Sequence, residues 1–231
     1  MSALLVTGTD TGIGKTFVAC ALAHALRARG RTVAVMKPVE TGVVSEPEDA
    51  LRLREAAADR APLEDICPYR LHAPLAPAVA ARAEGVTIDL GRLETLIRRR
   101  QAAADVLLVE GAGGLLVPIR DGITYADLAA RLGLPVLVVA ANRLGTINHC
   151  ALTARAAAAA GLTVLGFVLS QPSPEPDAST TSNTATIEDL TGMTCLGEIP
   201  HLDDPAHAGR FLQLPDAFLA AGMCPSSQNH R

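Results

Sequence analysis

The sequence is poor in the residues that bind nucleic acid or cross a membrane. Its 231 residues include no tryptophan and only 3% aromatic residues, and the formal net charge is −4. A nucleic-acid-binding protein needs a basic surface and aromatic side chains for base stacking, so nucleic acid is not an expected partner. The most apolar runs, 106–109 and 135–141, are far shorter than the ~20 residues of a membrane-spanning helix. We therefore expect no membrane insertion.

Cysteines are few, and their spacing forms no pairs. The chain has no Cys-x-x-Cys motif and an odd number of cysteines, which argues against a disulfide framework and against a zinc site. The residues before the first apolar run do not have the pattern of a secretory leader. We expect a cytoplasmic protein with buried, reduced thiols. The cysteines are Cys20, Cys67, Cys150, Cys195 and Cys224.

A glycine-rich stretch, Gly-Thr-Asp-Thr-Gly-Ile-Gly-Lys-Thr at residues 8–16, stands between an apolar run and a helical pattern. This arrangement is typical of a phosphate-binding loop, in which glycines let backbone N–H groups turn inward and the helix start supplies a positive dipole end. Lys15 would reach the β- and γ-phosphates, and the Thr16 hydroxyl would ligate Mg²⁺. Five residues separate Gly8 from Gly14, one more than in the commonest loop.

Apolar runs alternate with helical patterns along most of the chain. This predicts one α/β domain of the P-loop NTPase-like type, with a mainly parallel sheet and helices on both faces. The domain is expected to span 1–224, before a disordered tail at 225–231. The segment 68–77 is expected to be irregular, and 171–183 to be mobile. Strands are predicted at 3–6, 32–36, 106–109, 135–140, 163–169 and 195–199, and helices at 15–30, 47–56, 90–104, 124–133, 148–160 (capped by Thr146) and 184–190.

Charged residues follow two of the predicted strands. Lys37 comes after 32–36 and Glu110 after 106–109, and open α/β sheets bind ligands at the carboxyl ends of their strands. A second ammonium would stabilise the charge that develops on a γ-phosphate, and a carboxylate suits Mg²⁺. Taken alone, Lys37 is equally well explained as a solvated lysine, and Asp49 is better explained as an acid at a helix start.

Five motifs, spread in order along most of the chain, together resemble the dethiobiotin synthetase family. The combination is more specific than a phosphate-binding loop alone. The motifs are Gly-Thr-Asp-Thr-x-x-Gly-Lys-Thr at 8–16, Lys-Pro-Val-x-Thr-Gly at 37–42, Val-Glu-Gly-Ala-Gly-Gly at 109–114, Leu-Gly-x-Ile-Asn-His at 144–149 and Leu-Gly-Glu-Ile-Pro at 196–200.

This resemblance implies roles for individual residues. Catalysis is implied for Lys37, Lys15 and Thr11, and Mg²⁺ ligation for Thr16, Asp49 and Glu110. Substrate contacts are implied for Thr41, Leu144, Gly145, Thr146 and Asn148. Nucleotide binding is implied for Gly12, Ile13, Gly14, Lys15, Thr16, Phe17, Asp49, Glu110, Gly111, Ala112, Gly113, Ser170, Gln171, Pro200, His201 and Leu202.

The activity implied by the resemblance is the ATP- and Mg²⁺-dependent carboxylation of 7,8-diaminononanoate with CO₂, followed by ring closure to dethiobiotin. The implied intermediates are a carbamate and a carbamic-phosphoric anhydride. The resemblance also implies a homodimer, in which the helix that begins near residue 146 comes from the neighbouring subunit and binds the substrate carboxylate. Ser170 and Gln171 depart from the family pattern, which leaves the choice of nucleotide base open. Gly12 also departs from it, so only the backbone can make contacts at that position.

Two other protein classes share parts of this pattern. Min/Par-type ATPase switches resemble the chain in fold and loop, but they carry a lysine where Asp10 stands and often have a C-terminal membrane segment. Cobyrinate-type synthetases and related amidases usually append a glutaminase domain, for which this chain has no room. His201 and His207 could be metal ligands, but isolated histidines are more simply interpreted as surface residues.

Overall fold

A six-stranded parallel sheet forms the centre of the computed structural model, which describes residues 2–175 and 177–214. The strands are β1 (Ser2–Gly8), β2 (Val33–Met36), β3 (Val39–Thr41), β4 (Tyr69–Leu71), β5 (Val106–Gly114), β6 (Pro118–Arg120), β7 (Ile123–Thr124), β8 (Val136–Ala141), β9 (Val164–Ser170) and β10 (Cys195–Ile199). The α-helices are α1 (Lys15–Ala28), α2 (Glu48–Ala57), α3 (Leu63–Ile66), α4 (Pro77–Ala83), α5 (Leu90–Ala102), α6 (Tyr125–Leu132), α7 (Thr146–Ala159) and α8 (Asn183–Thr191), and a 3₁₀-helix spans Pro205–Phe211.

The order of strands across the sheet is β10-β9-β8-β1-β5-β2, and every neighbouring pair is parallel. Two small pairs lie outside it, the parallel β3-β4 and the antiparallel β6-β7. Because all six central strands run the same way, their carboxyl ends meet at one edge, where ligands bind in open α/β sheets. The predicted mainly parallel α/β architecture is confirmed.

Both faces of the sheet are covered, which explains the unbroken apolar runs. In β1, Leu4 and Val6 pack in one buried cluster with residues of α1 and α2, whereas Ala3 and Leu5 pack in the other with residues of α5, α6 and α7. Successive side chains of a strand point to opposite faces, so a strand buried on both sides must be apolar at every position.

Two local predictions were wrong. The segment 68–77 is not simply irregular, since it contains β4, and helix α4 begins at its last residue, Pro77. Strand β4 has three residues and is stabilised by pairing with the distant β3, which a local pattern cannot indicate. Thr146 is not the cap of α7: the cap is Gly145, with φ 92°, and Thr146 is the first, buried helical residue.

The segment 171–183 was predicted to be mobile, and that remains a prediction. The structure shows hydrogen-bonded turns there, described except at residue 176. Leu144 N donates to Asp177 Oδ2 at 2.7 Å, and the buried Asn183 amide donates to Asn142 Oδ1 at 2.8 Å. These bonds join the segment to the loop before α7.

The cysteines that the structure describes are free thiols. Cys20, Cys67 and Cys150 are buried, as expected, whereas Cys195 is half-buried. Burial raises the pKa of Cys20 to about 12 and that of Cys150 to about 11, which makes these thiols unreactive at neutral pH. Cys224, the expected domain end at 224 and the expected tail at 225–231 lie outside the described residues.

The helices were compared with the length and hydropathy of a membrane-spanning helix. None of the helices in 2–175 and 177–214 combines the length and the apolar character that crossing a membrane requires.

A buried ion pair lies beside β2, the outermost strand on one side of the sheet. Arg100 of α5 forms an ion pair with Asp59, and both side chains are 7% exposed. Asp59 Oδ2 accepts the Val35 N–H at 3.0 Å, and Arg100 Nη2 donates to the Val35 carbonyl at 3.2 Å. The pair thus takes up the outward backbone groups of an edge strand, which otherwise require water or another strand.

We expect Asp59→Ala to destabilise the fold strongly, because it leaves the buried Arg100 guanidinium without its counter-ion and the Val35 N–H without an acceptor. The loss should be about 3–5 kcal/mol of unfolding free energy, measured by urea denaturation. The control is Asp121→Ala, which breaks the Arg82–Asp121 pair, whose side chains are 68% and 78% exposed. That change should cost at most about 1 kcal/mol. Equal losses in the two variants would contradict this account of the β2 edge.

Candidate active site

The loop between β1 and α1 has the backbone conformation of a phosphate cradle. Gly12 and Gly14 have φ angles of 70° and 88°, a region that favours glycine. Gly8 also has no room for a side chain, because an added Cβ would lie 2.8 Å from Ile13 Cδ1. Within the described residues, α1 begins with no capping side chain and no acid in its first turn. Its positive end is therefore available to an anion.

Lys15, the first residue of α1, lies inside this loop. It is buried, and its Nζ donates a hydrogen bond to the Asp10 carbonyl oxygen at 2.9 Å. Burial lowers the pKa of Lys15, and the positive charge of Lys37 adds to this effect against the opposing influence of Glu110. A phosphate oxygen could replace the carbonyl as the partner of this ammonium.

Lys37 lies at the carboxyl end of β2 between two carboxylates. Its Nζ is 2.7 Å from Asp49 Oδ2 and forms a second ion pair with Glu110. Met36 of β2 is in register with Val109 of β5, so the next residues of the two chain segments, Lys37 and Glu110, lie side by side. Burial alone would lower the pKa of Lys37, but the two carboxylates outweigh it and raise that pKa above its ordinary value. Lys37 is thus a firmly charged cation.

Three oxygen-bearing side chains meet beside the two lysines. The Thr16 hydroxyl donates to Glu110 Oε1 at 2.8 Å, and Asp49 lies in the first turn of α2. Burial raises the pKa of Asp49, but the charge of Lys37 and its hydrogen bond outweigh that effect and hold the pKa below the usual value. Glu110 is 1% exposed, and its Oε2 has no hydrogen-bond partner among the described residues.

An open cleft of ≈350 Å³ joins these groups at the sheet edge. It brings together most of the residues for which the sequence implied catalysis, phosphate binding or Mg²⁺ ligation. Ile13 and Gly111 do not line it: Ile13 is part of the core, and Gly111 packs against the ring of Tyr125. The predicted residues that line the cleft are Thr11, Gly12, Gly14, Lys15, Thr16, Phe17, Lys37, Thr41, Asp49, Glu110, Ala112 and Gly113.

The sequence analysis missed two residues of this cleft, Glu40 and Arg52. Glu40 occupies the variable position of the Lys-Pro-Val-x-Thr-Gly motif and was not weighed. Arg52 follows Asp49 by three residues on α2, so the helical repeat alone places it on the same side as Asp49, a signal that was available. Composition gives a second signal. Lys15 and Lys37 are the only lysines among the 231 residues, and all other Lys and Arg residues are arginines.

A second cleft of ≈610 Å³ continues from the first, with which it shares Thr16, Phe17 and Arg52. Its far side is formed by residues 203–206. The residues implied in base binding do not line it but lie nearby in the chain: Pro200, His201 and Leu202 precede 203–206. Ser170 touches the phosphate loop instead, since a Cβ on Gly14 would lie 2.6 Å from its Oγ. The Gln171 N–H bonds the Ile199 carbonyl at 2.9 Å.

The residues near the start of α7 that were implied in substrate binding lie apart from this cleft. Leu144, Gly145, Thr146 and Asn148 do not line the cleft that contains Lys37. Leu144 is 82% exposed, and within the described residues α7 begins with no capping side chain and no acid in its first turn. Arg143, just before this helix start, lies 3.8 Å from the Asp10 carboxylate, so the start of α7 approaches the phosphate loop without lining the cleft.

Sequence comparisons give the family. A family model described as an AAA domain matches residues 2–207. The chain is 53% identical over 213 residues to an ATP-dependent dethiobiotin synthetase from Anaeromyxobacter dehalogenans (strain 2CP-C), covering 92% of this chain and 96% of that protein. An enzyme of the same name from Aromatoleum aromaticum is 43% identical, with 92% and 97% covered. The chain belongs to the dethiobiotin synthetase family. As a member of this family it is an ATP-dependent ligase.

Structural neighbours of the chain show its fold class only. The MinC:MinD complex of Aquifex aeolicus gives a TM-score of 0.58 at 14% identity, with 95% of this chain and 94% of that one covered. A ParA family ATPase from Chlorobium tepidum TLS gives 0.55 at 15% identity, with 92% and 90% covered. These matches confirm the P-loop NTPase-like fold, while the far higher identity to the synthetases decides the family.

We expect nucleotide binding to weaken at alkaline pH because the pKa of Lys15 is lowered in the free protein. A bound triphosphate raises this pKa again, so binding takes up a proton once the pH exceeds the free-state value. Affinity should be constant below that pH and then fall by about tenfold per pH unit until the bound-state pKa is reached. Titration calorimetry with a non-hydrolysable ATP analogue, in buffers of different ionisation enthalpy, measures both the affinity and the proton uptake.

Lys15→Arg is the control for this titration, because a guanidinium stays charged throughout the range. Whatever its affinity, this variant should bind without proton uptake. Wild-type protein that also takes up no proton in the alkaline range would contradict the role given to the buried Lys15 ammonium.

Proposed function

We propose that the chain converts 7,8-diaminononanoate, CO₂ and ATP into dethiobiotin, ADP and phosphate, in a Mg²⁺-dependent step of biotin biosynthesis that takes place in the cytoplasm. The names of the relatives support this reaction. The observation that carries the proposal is the meeting of Lys15, Lys37 and Glu110 in one cleft at the start of α1. A generic nucleotide pocket needs the first of these groups but not a second buried lysine.

Charge explains why two lysines are needed. A carbamate and the γ-phosphate of ATP are both anionic, and bringing them together in a partly dry cleft costs free energy unless nearby cations offset the repulsion. Lys15 lies in the phosphate loop and would bind the β- and γ-phosphates. Lys37 lines the same cleft, as do Thr41 and Thr11, and would bind the carbamate beside the γ-phosphate.

The oxygen groups beside the lysines fit a divalent cation. Mg²⁺ prefers oxygen ligands, and Thr16, Asp49 and Glu110 supply one hydroxyl and two carboxylates. The buried Glu110 Oε2, which has no partner among the described residues, is the kind of atom that a cation satisfies. Thr16, Asp49 and Glu110 would hold the cation there, and a cation so held would supply positive charge against the phosphates of ATP.

The proposed reaction has three steps. One amine of the substrate attacks CO₂ and loses a proton, which gives a carbamate. A carbamate oxygen then attacks the γ-phosphorus, the bond from the γ-phosphorus to the bridging oxygen breaks, and ADP leaves. The second amine attacks the carbonyl carbon of the resulting anhydride, the carbon–oxygen bond to phosphate breaks, and a cyclic urea forms as the amine loses a proton. Lys37 and Lys15 hold the two reacting anions in line for the second step.

The nucleoside is proposed to extend from the phosphate loop past Phe17 toward residues 200–206. The shared boundary of the two clefts at Thr16 and Phe17 supports this direction. Ser170 and Gln171 lie at the carboxyl end of β9, beside Ile199 at the end of β10, so they would border the base.

Incubation of the protein with ATP, Mg²⁺, ¹³C-bicarbonate and 7,8-diaminononanoate tests the proposed reaction directly. The expected product is a cyclic urea that carries one ¹³C, detected by mass spectrometry with one phosphate released per ring. Phosphate release that does not depend on the diamine would indicate an ATPase switch instead.

Lys37→Ala is expected to abolish ring closure, with a loss of at least about 10²–10³-fold in kcat, because the carbamate loses its cation. The fold should be retained, as measured by circular dichroism. Arg60→Ala is the matched control, since it removes an exposed cation after α2 and should leave turnover unchanged. Turnover close to wild type in Lys37→Ala would refute the role of this lysine.

We further propose that the active form is a homodimer whose two sites are each completed by α7 of the partner subunit. The uncapped start of α7 offers N–H groups to the substrate carboxylate, yet it lies outside the cleft of its own chain. Leu144, just before α7, and Leu152 (56% exposed), within it, give this helix exposed apolar side chains that a second copy would cover.

Mixing two inactive variants tests the shared site. Lys37→Ala removes the cation of one half, and Asn148→Asp places a carboxylate at the start of α7, where it should repel the substrate carboxylate. In a mixed dimer both defects fall in one site and the other site is intact, so random mixing should restore about one quarter of wild-type activity. Subunits that exchange without any recovery of activity would show that each site is built within one chain.

A further inference from the structure

Glu40 makes a contact that none of the proposed roles includes. It lies on β3 and is buried, and both of its carboxylate oxygens accept backbone hydrogen bonds from the start of α2. The Asp49 N–H donates to Oε1 and the Ala50 N–H donates to Oε2, each at 3.0 Å. A carboxylate that accepts two N–H groups in this way fixes both the position and the direction of a helix start.

Helix α2 depends on this remote contact because its own sequence provides no cap. The residue at the cap position is Pro47, which makes no side-chain hydrogen bond to the helix within the described structure. The connection from β3 to α2 is exposed over 44–46, and Val44 is 91% exposed. Val43 and Pro47 on either side are buried, so little packing holds only the middle of the connection, and Glu40 ties its far end back to the sheet.

The same helix start carries Asp49. The backbone N–H that bonds Glu40 belongs to Asp49 itself, and the Asp49 side chain reaches Lys37 at 2.7 Å on the other side. A shift of α2 by a few tenths of an ångström would therefore move this carboxylate relative to Glu110 and Thr16. Residues that hold a metal-ligating carboxylate in place affect metal affinity nearly as much as the ligands do.

Burying a third carboxylate here is electrostatically unfavourable. Burial and the negative charge of Asp49 raise the pKa of Glu40, against the opposing influence of the two N–H groups and of Lys37. An uncharged residue would avoid that repulsion. A neutral side chain with one acceptor oxygen could not bond both N–H groups in the geometry observed.

We propose that Glu40 is a positioning residue that sets the divalent-cation affinity of the cleft by fixing the start of α2, and with it the carboxylate of Asp49. The inference rests on the proposed function, in which Asp49 is a ligand of the cation. Glu40 itself is not a ligand in this proposal, because both of its oxygens are occupied by backbone N–H groups.

The test measures cation binding and not turnover. Mn²⁺ binding to the protein with a non-hydrolysable ATP analogue is followed by electron paramagnetic resonance. In Glu40→Gln, an NH₂ donor replaces one of the two acceptor oxygens and faces a backbone N–H, so Mn²⁺ should bind about 10–100-fold more weakly. Glu48→Gln is the matched control, since it removes the same charge from the same helix end at a side chain that is 81% exposed. It should bind Mn²⁺ as the wild type does.

A double-variant cycle shows whether Glu40 acts through Asp49. In an Asp49→Ala background the added Glu40→Gln change should weaken Mn²⁺ binding no further, because the carboxylate that it positions is gone. Independent losses in the two variants would overturn the proposal, as would a Glu40→Gln variant that binds Mn²⁺ as tightly as Glu48→Gln. Circular dichroism confirms that α2 is retained. If Glu40→Gln does not fold, Glu40→Asp, which keeps the charge but shortens its reach, takes its place in the cycle.

The failure of this inference is distinguishable from a failure of the proposed function. Asp49→Ala alone should weaken Mn²⁺ binding if the proposed cation site is correct. If Asp49→Ala has no effect, the cation site is wrong. If Asp49→Ala weakens binding and Glu40→Gln does not, only the positioning role of Glu40 is wrong.

Discussion

The ion pairs of Lys37 with Asp49 and Glu110 connect three parts of the chain that are far apart in sequence. One partner comes from the end of β2, one from the start of α2 and one from β5. A buried ammonium without partners would be neutral or would not be buried, so the site can exist only when all three elements are in place. The chemistry that we propose depends on this arrangement, because it is what keeps Lys37 charged inside the protein.

The scaffold supports this cluster by giving other buried charges partners of their own. Asp59 and Arg100 bond the outward backbone groups of Val35, two residues before Lys37 in the same strand. Glu40 bonds the start of α2 from the opposite side. Each of these contacts gives partners to backbone groups at the margin of a short element. Precision at the cleft is thus supplied by polar contacts, while the apolar faces of the sheet supply the stability of the whole.

The sequence predicted the parts of the fold and site that depend on local pattern or on general topology. Unbroken apolar runs predicted strands buried on both faces, and the carboxyl ends of parallel strands predicted that Lys37 and Glu110 share an edge. Their direct contact could not be predicted, because it requires β2 to pair with β5 in the register that aligns Met36 with Val109. Pairing partners and register are set by the whole chain and not by either strand.

Other features were missed because their causes are not local. Strand β4 exists through its pairing with β3, across 27 intervening residues from Thr41 to Tyr69. The capping of α2 was missed for the same reason. The residue at the N-cap position is Pro47, whereas the carboxylate that accepts the N–H groups is that of Glu40, seven residues earlier. Thr146 illustrates the converse: a residue typical of caps lies one position inside the helix, because glycine alone suits the positive φ before it.

The presence of only two lysines, both in the cleft, makes primary amines a label for this site. Reagents that acylate amines do not react with guanidinium groups, so on the described part of the chain the side-chain amines are those of Lys15 and Lys37. Lys15, whose pKa is lowered, is the more reactive of the two, because acylation needs the neutral amine and Lys37 stays protonated. Any acetylation of a lysine side chain in the cell would likewise fall in this cleft and remove a positive charge there. In a protein with many surface lysines, acetylation mostly modifies exposed residues away from the site.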